Sequence, residues 1–298
     1  MYGLKLCSEL DFFQLVKEEK CSGTAEEIWI TEGVDTAECE EQKKTTGKNY
    51  EIGEKRSWLE NRTLWLQVEE GKRIRYRKKE GANELYVRTY ILGFGMAMLA
   101  FQRGMLAIHC SAVSKNGKAV LIAGESGAGK STVTSAFLEA GYSLMADDMA
   151  FVEKTESGMQ VWPAFPFQKM CRDQIEQKEF CEDELFYIDE QKDKYMVPYK
   201  GDFSVEAVPL SGLLYLCQKD EGKMEVQPVD GLQKLYVCAN NLFLRHLLGN
   251  DKYTPFIGEK CLQMAGAIKI SCLLRAFSES TPEGTAQKAL EIVQNWEE

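Results

Sequence analysis

A five-residue apolar run, a glycine-rich turn and an amphipathic stretch follow one another in "AVLIAGESGAGKSTVTSAFLEAG", residues 119 to 141. That succession predicts a buried strand, a tight loop and a helix packed back on the strand, the grammar of an α/β sheet with crossover helices. Val133, Ala136, Phe137 and Ala140 fall at i, i+3, i+4 and i+7, so they form the predicted packing face, and Gly141 supplies a left-handed cap.

The turn itself, "GESGAGKS" from Gly124 to Ser131, fits G-x-x-x-x-G-K-[ST] without departure. Gly127 and Gly129 lack a Cβ, so backbone N–H groups can converge on phosphate oxygens, and the following helix adds a favourable dipole. Lys130 would meet the β and γ phosphates of ATP as a point charge, and Ser131 would offer its hydroxyl to Mg²⁺.

After the helix comes "YSLMADDMAFV", an apolar stretch interrupted by Asp147 and Asp148. Two adjacent carboxylates beside a phosphate loop point to divided labour, one holding the metal and one orienting or deprotonating an attacking hydroxyl. The pattern does not say which does which. His109, on the segment entering the sheet, reads by itself as a satisfied core residue more readily than as a site residue, and His246 has apolar neighbours at helical spacing and reads as structural.

The rest of the chain is read around this centre. Residues 1 to 88 carry alternating runs at 27–31, 63–68, 73–77 and 84–90, read as strands, with turns at 69–72 and 80–83. A buried helix is expected over 88–103. The charged stretch 176–194 reads as a surface helix or excursion, and 208–229 as two strands around a polar turn. The tail helix should start with Thr281 as N-cap and Pro282 at its first position, presenting Ala286, Leu290 and Val293 on one face.

Composition excludes several function classes. With 36 basic and 46 acidic residues the formal net charge is -10, which argues against a nucleic-acid or anionic-membrane partner. The longest apolar run, Tyr90 to Phe101, falls short of the ~20 residues needed to span a bilayer. The opening residues lack the apolar core of a secretion signal, so a cytoplasmic location is expected. Ten cysteines without a CxxC pair and only two histidines give no zinc pattern, and reduced, mostly buried thiols are expected.

The order "LAIHCSAV", "AVLIAGESGAGKST", "AGYSLMADDMAFV" resembles the catalytic domain of the HPr kinase/phosphorylase family, and most the branch of peptide kinases of the lasso-peptide precursor type. The resemblance implies an α/β P-loop kinase domain over 89–298, with a small β-rich N-terminal domain over 1–88. It also implies ATP and Mg²⁺ as cofactors and a peptide or small protein bearing a serine or threonine hydroxyl as partner. It places the nucleotide phosphates on Gly124, Glu125, Ser126, Gly127, Ala128, Gly129, Lys130, Ser131 and Thr132, and assigns Asp147 as acid/base, Asp148 as its partner toward Mg²⁺ and His109 as the histidine orienting Asp147, although the two aspartate roles can be exchanged. Relatives are often oligomers, so a homo-oligomer is compatible with it.

The family's second signature, tied to phosphorylase activity, is missing here, as is a docking segment for HPr; a kinase-only enzyme with another acceptor follows. Lys194, Lys200 and Arg245 are further candidates for charge stabilisation, and the basic strand 71–79 for either an acidic peptide or a solvated face. A small-molecule kinase and a nucleotide-dependent switch without transfer remain the competing readings.

Overall fold

The computed structural model describes residues 1–16, 25–176, 185–189, 194–276 and 281–297. The N-terminal part forms a six-stranded sheet in the order β1-β2-β6-β5-β4-β3. Its strands are β1 (Leu4–Ser8), β2 (Glu26–Glu32), β3 (Tyr50–Glu51), β4 (Arg56–Glu60), β5 (Leu64–Glu69) and β6 (Arg73–Lys78). On β6 the side chains of Ile74 and Tyr76 turn into the core while Arg73 and Arg77 stay exposed, the alternation expected of a strand with one wet face. A helix, α1 (Thr36–Thr46), closes a small satellite core made by Val34, Cys39, Trp58 and Trp65.

One expected strand is a helix. Residues 84–90 form α2 (Glu84–Tyr90), which runs through a π-helical turn (Ile91–Gly95) into α3 (Met96–Gln102). The Asn83 side chain accepts from the Leu85 N–H, an N-cap that outweighs the apparent two-residue alternation, and Glu84 pairs with Arg88 one turn on at 3.1 Å. Every residue from Met96 to Phe101 is buried, so this rod lies inside the main core. That core is continuous, running from Ile28 and Leu66 of the N-terminal sheet to Leu121 and Phe151 of the next.

The second sheet has nine strands. They are β7 (Leu106–Ile108), β8 (Cys110–Lys115), β9 (Lys118–Gly124), β10 (Ser143–Ala146), β11 (Ala150–Thr155), β12 (Gly158–Trp162), β16 (Val208–Lys219), β17 (Glu225–Pro228) and β18 (Lys269–Ala276). Between β12 and β16 the chain makes a separate three-stranded antiparallel sheet, β13-β15-β14, from β13 (Phe167–Cys171), β14 (Phe186–Asp189) and β15 (Lys194–Pro198). The excursion expected over 176–194 is therefore partly strand; its residues 177–184 and 190–193 lie outside the described residues.

Three strands of the large sheet, β9, β16 and β18, run parallel and side by side. Their interior residues are apolar on both faces, as a doubly covered strand requires: Leu121 belongs to the main core, while Val120 and Ile122 belong to a second one. That second core is capped by α4 (Lys130–Glu139) and the C-terminal helix α9 (Pro282–Glu297) through Val133, Phe137, Ala289 and Val293. On α4 the buried set is Val133, Thr134 and Phe137, with Ala140 exposed, because the helix ends at Glu139 and Gly141, at φ 83°, turns the chain away. The Thr281 hydroxyl accepts from Gly284 N–H at 3.0 Å, the cap expected for α9, and Leu290 is only half-buried.

The remaining helices are α5 (Arg172–Glu176), α6 (Leu232–Asn240), α7 (Arg245–Leu248) and α8 (Pro255–Ala267). Among the described residues no helix is long and apolar enough to cross a membrane. The described cysteines form no disulfide; five of them, including Cys110 and Cys272, are buried.

Candidate functional site

The site lies where one edge of the large sheet gathers several strand ends. β8 runs antiparallel to β9 with Cys110 opposite Ala123, and β10 runs antiparallel to β8 with Ala146 opposite Ala112. This register brings the start of β8, the end of β9 and the end of β10 to one side. His109, Ser111, the phosphate loop and the acidic pair, separated in sequence, therefore line one cavity of about 920 Å³.

The phosphate loop leaves β9 at Gly124, which has φ 150° and would place a Cβ 2.5 Å from the Leu216 carbonyl oxygen on the adjacent strand. Only glycine fits there. Behind the loop, Arg275 at the end of β18 donates to the carbonyls of Ala128 and Gly127, at 3.2 and 3.3 Å. Gln218 at the end of β16 donates to Gly127 O at 2.9 Å. The loop's carbonyls are thus pinned from the rear by side chains of the two neighbouring parallel strands.

Gly129, at φ 98°, starts α4 with no side-chain cap, so the N–H groups of Lys130, Ser131 and Thr132 are first-turn donors with no intrahelical acceptor. A donor cradle of this kind suits a phosphate chain. The Lys130 ammonium reaches back to Gly124 O and Glu125 O, at 2.7 and 3.1 Å, and burial lowers its pKa from the ordinary lysine value. Glu125 and Ala128 belong to the loop but do not line the cavity; Ser126, Gly127, Gly129, Ser131 and Thr132 do.

The two aspartates have opposite electrostatics. Asp147 accepts from Ser111 Oγ and from the Lys169 N–H, both at 2.7 Å, and burial raises its pKa despite these donors. Asp148 is also penalised by burial, but the Lys169 ammonium at 2.6 Å holds its carboxyl well below the usual aspartate range. Asp148 sits at φ 74°, a left-handed conformation that aspartate tolerates better than most residues and that turns the two carboxylates apart.

His109 meets Asp148 rather than Asp147. Its Nδ1 lies 2.9 Å from the Asp148 carbonyl oxygen and 3.7 Å from Oδ1. A carbonyl only accepts, so Nδ1 carries the proton in this contact. Burial lowers the imidazole pKa against the pull of Asp148, which keeps the ring neutral near pH 7.

Lys169 on β13 is the residue sequence reading missed. It lies 21 positions beyond Asp148, in a strand with no motif, and only the third sheet brings its backbone to one aspartate and its ammonium to the other. Of the lysines and arginine singled out from sequence, Lys194 lines the cavity, whereas Lys200 and Arg245 do not. Arg245 donates to Asn240 O at 2.7 Å and meets His246, which is exposed on α7 and has no part in the core. The arginines of 71–79 face solvent on β6 and lie outside the cavity lining.

A further wall comes from the N-terminal half: the β4–β5 turn at 61–63 and the cavity side of α2 and its π turn. Phe243 completes it. The segment carrying Phe243 is tied beside His109 by His109 N–H to Asn241 O and Phe243 N–H to Ala107 O, at 2.7 and 2.8 Å.

No family model matches the chain, and no curated protein matches it in sequence. The HPr(Ser) kinase/phosphatase from Coxiella burnetii is a similar solved structure, 11% identical, with 64% of this chain and 99% of that chain covered at a TM-score of 0.33. So slight an overlap leaves the chemistry of the site to its own residues.

Proposed function

We infer that the chain is an ATP-dependent kinase transferring the γ phosphoryl group to a serine or threonine hydroxyl of a peptide or small protein. The observation that carries this reading is the pair Asp147 and Asp148 in one cavity with a complete phosphate loop, one carboxylate raised in pKa and the other depressed. A group meant to take a proton needs the higher pKa; a group meant to stay ionised beside a cation needs the lower.

Asp147 is therefore the proton acceptor. Each of its oxygens already accepts one hydrogen bond and keeps a lone pair for the substrate proton. As the acceptor oxygen bonds to the γ phosphorus, its proton passes to Asp147, the bond from phosphorus to the β–γ bridging oxygen breaks, and ADP leaves. Lys130 and the amides of the first turn of α4 stabilise charge on the phosphoryl oxygens, with Lys169 and Lys194 as further cations lining the cavity.

Ser131 and Asp148 are the residues that would hold Mg²⁺: a hydroxyl and an ionised carboxylate are hard oxygen donors suited to it. Among the described residues no group of three His, Cys, Asp or Glu forms a cage, so phosphate oxygens and water would complete the shell. When bound, the ion supplies charge neutralisation across the β and γ phosphates. His109, neutral, acts as a positioning residue for Asp148.

The same reading treats residues 1–88 and 89–298 as an N-terminal and a catalytic domain. It places the protein in the cytoplasm, acting on neither nucleic acid nor membrane, as its net charge of -10 favours. The test is to incubate the protein with γ-labelled ATP, Mg²⁺ and a fractionated host extract, alongside Lys130→Ala. Label on a peptide or protein that vanishes in the variant supports the kinase. Label running with metabolites supports a small-molecule kinase, and nucleotide binding with no labelled product supports a switch.

A further inference from the structure

We propose that the cavity wall built by the β4–β5 turn, α2 with its π turn and Phe243 is the acceptor subsite, and that it takes an extended peptide with apolar or aromatic residues at alternate positions from the hydroxyl and an acidic residue beyond them. This rests on the kinase reading above and specifies its substrate.

The placement follows from in-line transfer. The leaving nucleotide lies on the loop side of the γ phosphorus, and the attacking oxygen on the opposite side, next to the carboxylate that takes its proton. Side chains that continue from the acidic pair away from the loop must therefore meet the acceptor. They form one unbroken row. His109 contacts Asp148 on one side, and on the other its ring centroid is 6.1 Å from Phe243; Phe243 is 5.5 Å from Phe94, and Phe94 is 6.0 Å from Tyr90. Steps of this size approach the ~6.6–6.8 Å between same-face side chains of an extended chain, whose rise is about 3.3–3.4 Å per residue.

The π turn has a part in building the row. One residue more per turn displaces the helix surface locally, and it is here, at Gly93 and Phe94, that the α2–α3 rod faces the cavity. A Cβ built at Gly93 would stand 3.6 Å from Phe243 Cζ, an ordinary contact distance, so the π turn lies directly against that ring. The cavity, about 920 Å³, is at the upper end of the ~300–1,000 Å³ typical of a single small ligand, which leaves space beside a nucleotide.

Arg62 supplies the charge preference. It sits exposed at the tip of the β4–β5 turn, where Asn61 Oδ1 accepts from the N–H groups of Thr63 and Leu64 at 2.7 and 3.0 Å and fixes the backbone. Among the described residues Arg62 makes no hydrogen bond or ion pair. A guanidinium held on a rigid turn at the cavity rim, in a chain of net charge -10, selects a carboxylate.

The experiment uses the full chain and a fluorescein-labelled, serine-centred peptide library with each flanking position fixed in turn. Binding is read by anisotropy with a non-hydrolysable ATP analogue and Mg²⁺, and transfer is read separately with γ-labelled ATP. Pools with Phe, Tyr or Leu two and four positions from the serine should bind about tenfold tighter than Ala pools, and pools with Asp or Glu further out about fivefold tighter. Arg62→Glu, at an exposed turn, should reverse the second preference toward Lys without changing analogue affinity. Tyr90→Ala, at the far end of the row, should weaken the apolar preference alone.

Selective binding with no transfer would keep the subsite and overturn the kinase. Transfer without either preference, or with Arg62→Glu indistinguishable from wild type, would keep the kinase and overturn the subsite. Loss of analogue affinity in Tyr90→Ala with peptide binding intact would assign the wall to the nucleotide base and overturn it too.

Discussion

The two sides of the cavity are built by different means. The proposed phosphate side comes from one consecutive segment, Gly124 to Thr132, through the backbone donors of its lining residues, one lysine and one hydroxyl. The facing side is collected from the β4–β5 turn, the π turn, the start of β8, the acidic pair, β13 and the segment of Phe243, and its function resides in side chains. A contiguous backbone cradle can be written in a motif. A side-chain constellation exists only once three sheets have been laid against each other, and so it can be altered one residue at a time.

Variants on the two sides should therefore fail differently. The largest effect is expected at Asp147→Asn: loss of the proton acceptor should lower turnover by about 10²–10⁴-fold while leaving nucleotide affinity in place, as measured by initial rates beside equilibrium binding. Lys130→Ala should lower turnover by about 10²–10³-fold and weaken nucleotide binding together with it, because the loop works on ground state and transition state alike.

Smaller effects sharpen the contrast from the structural side. Arg275→Leu removes the donors behind Ala128 and Gly127 and should cost about 1.5–3 kcal/mol in denaturant unfolding. Gly124→Ala, with its Cβ against the Leu216 carbonyl, should cost about 1–3 kcal/mol. Both should weaken nucleotide binding at a distance from any substrate contact.

The pH dependence is the subtlest. Burial raises the Asp147 pKa, and transfer needs its ionised form, so activity should fall on acidification at a pH above the ~3.9 of a free aspartate. For stability the sign is opposite: a raised folded-state pKa favours folding at low pH, and that contribution is lost as pH rises through it. Asp147→Asn, permanently neutral, should melt no lower than wild type at pH 8, whereas Lys169→Met, which strands the ionised Asp148, should melt lower.

What was legible in the sequence follows the same division. The glycine-rich loop between its strand and helix, the N-cap of the last helix at Thr281 and the strands at 27–31, 63–68 and 73–77 are all local in origin and appear where expected. Residues 84–90 misled because a short amphipathic alternation fits either period, and the Asn83 cap decided the matter. Lys169, Arg62 and Phe243 carry no local signal: each acquires its place through a strand pairing or turn whose partner is distant in the chain. His109 was visible, but its partner was not, since the choice between Asp147 and Asp148 depends on the left-handed turn at Asp148.

The most direct measurement is phosphotransfer and nucleotide affinity on the same preparations of wild type, Lys130→Ala and Asp147→Asn, using γ-labelled ATP and the acceptor fraction found with wild type. The account predicts that both variants lose transfer and that only Lys130→Ala loses affinity. Full transfer by Asp147→Asn, with Lys130→Ala inactive, would contradict it: nucleotide would still sit on the loop, but the acidic pair would not be the machinery that receives the hydroxyl's proton.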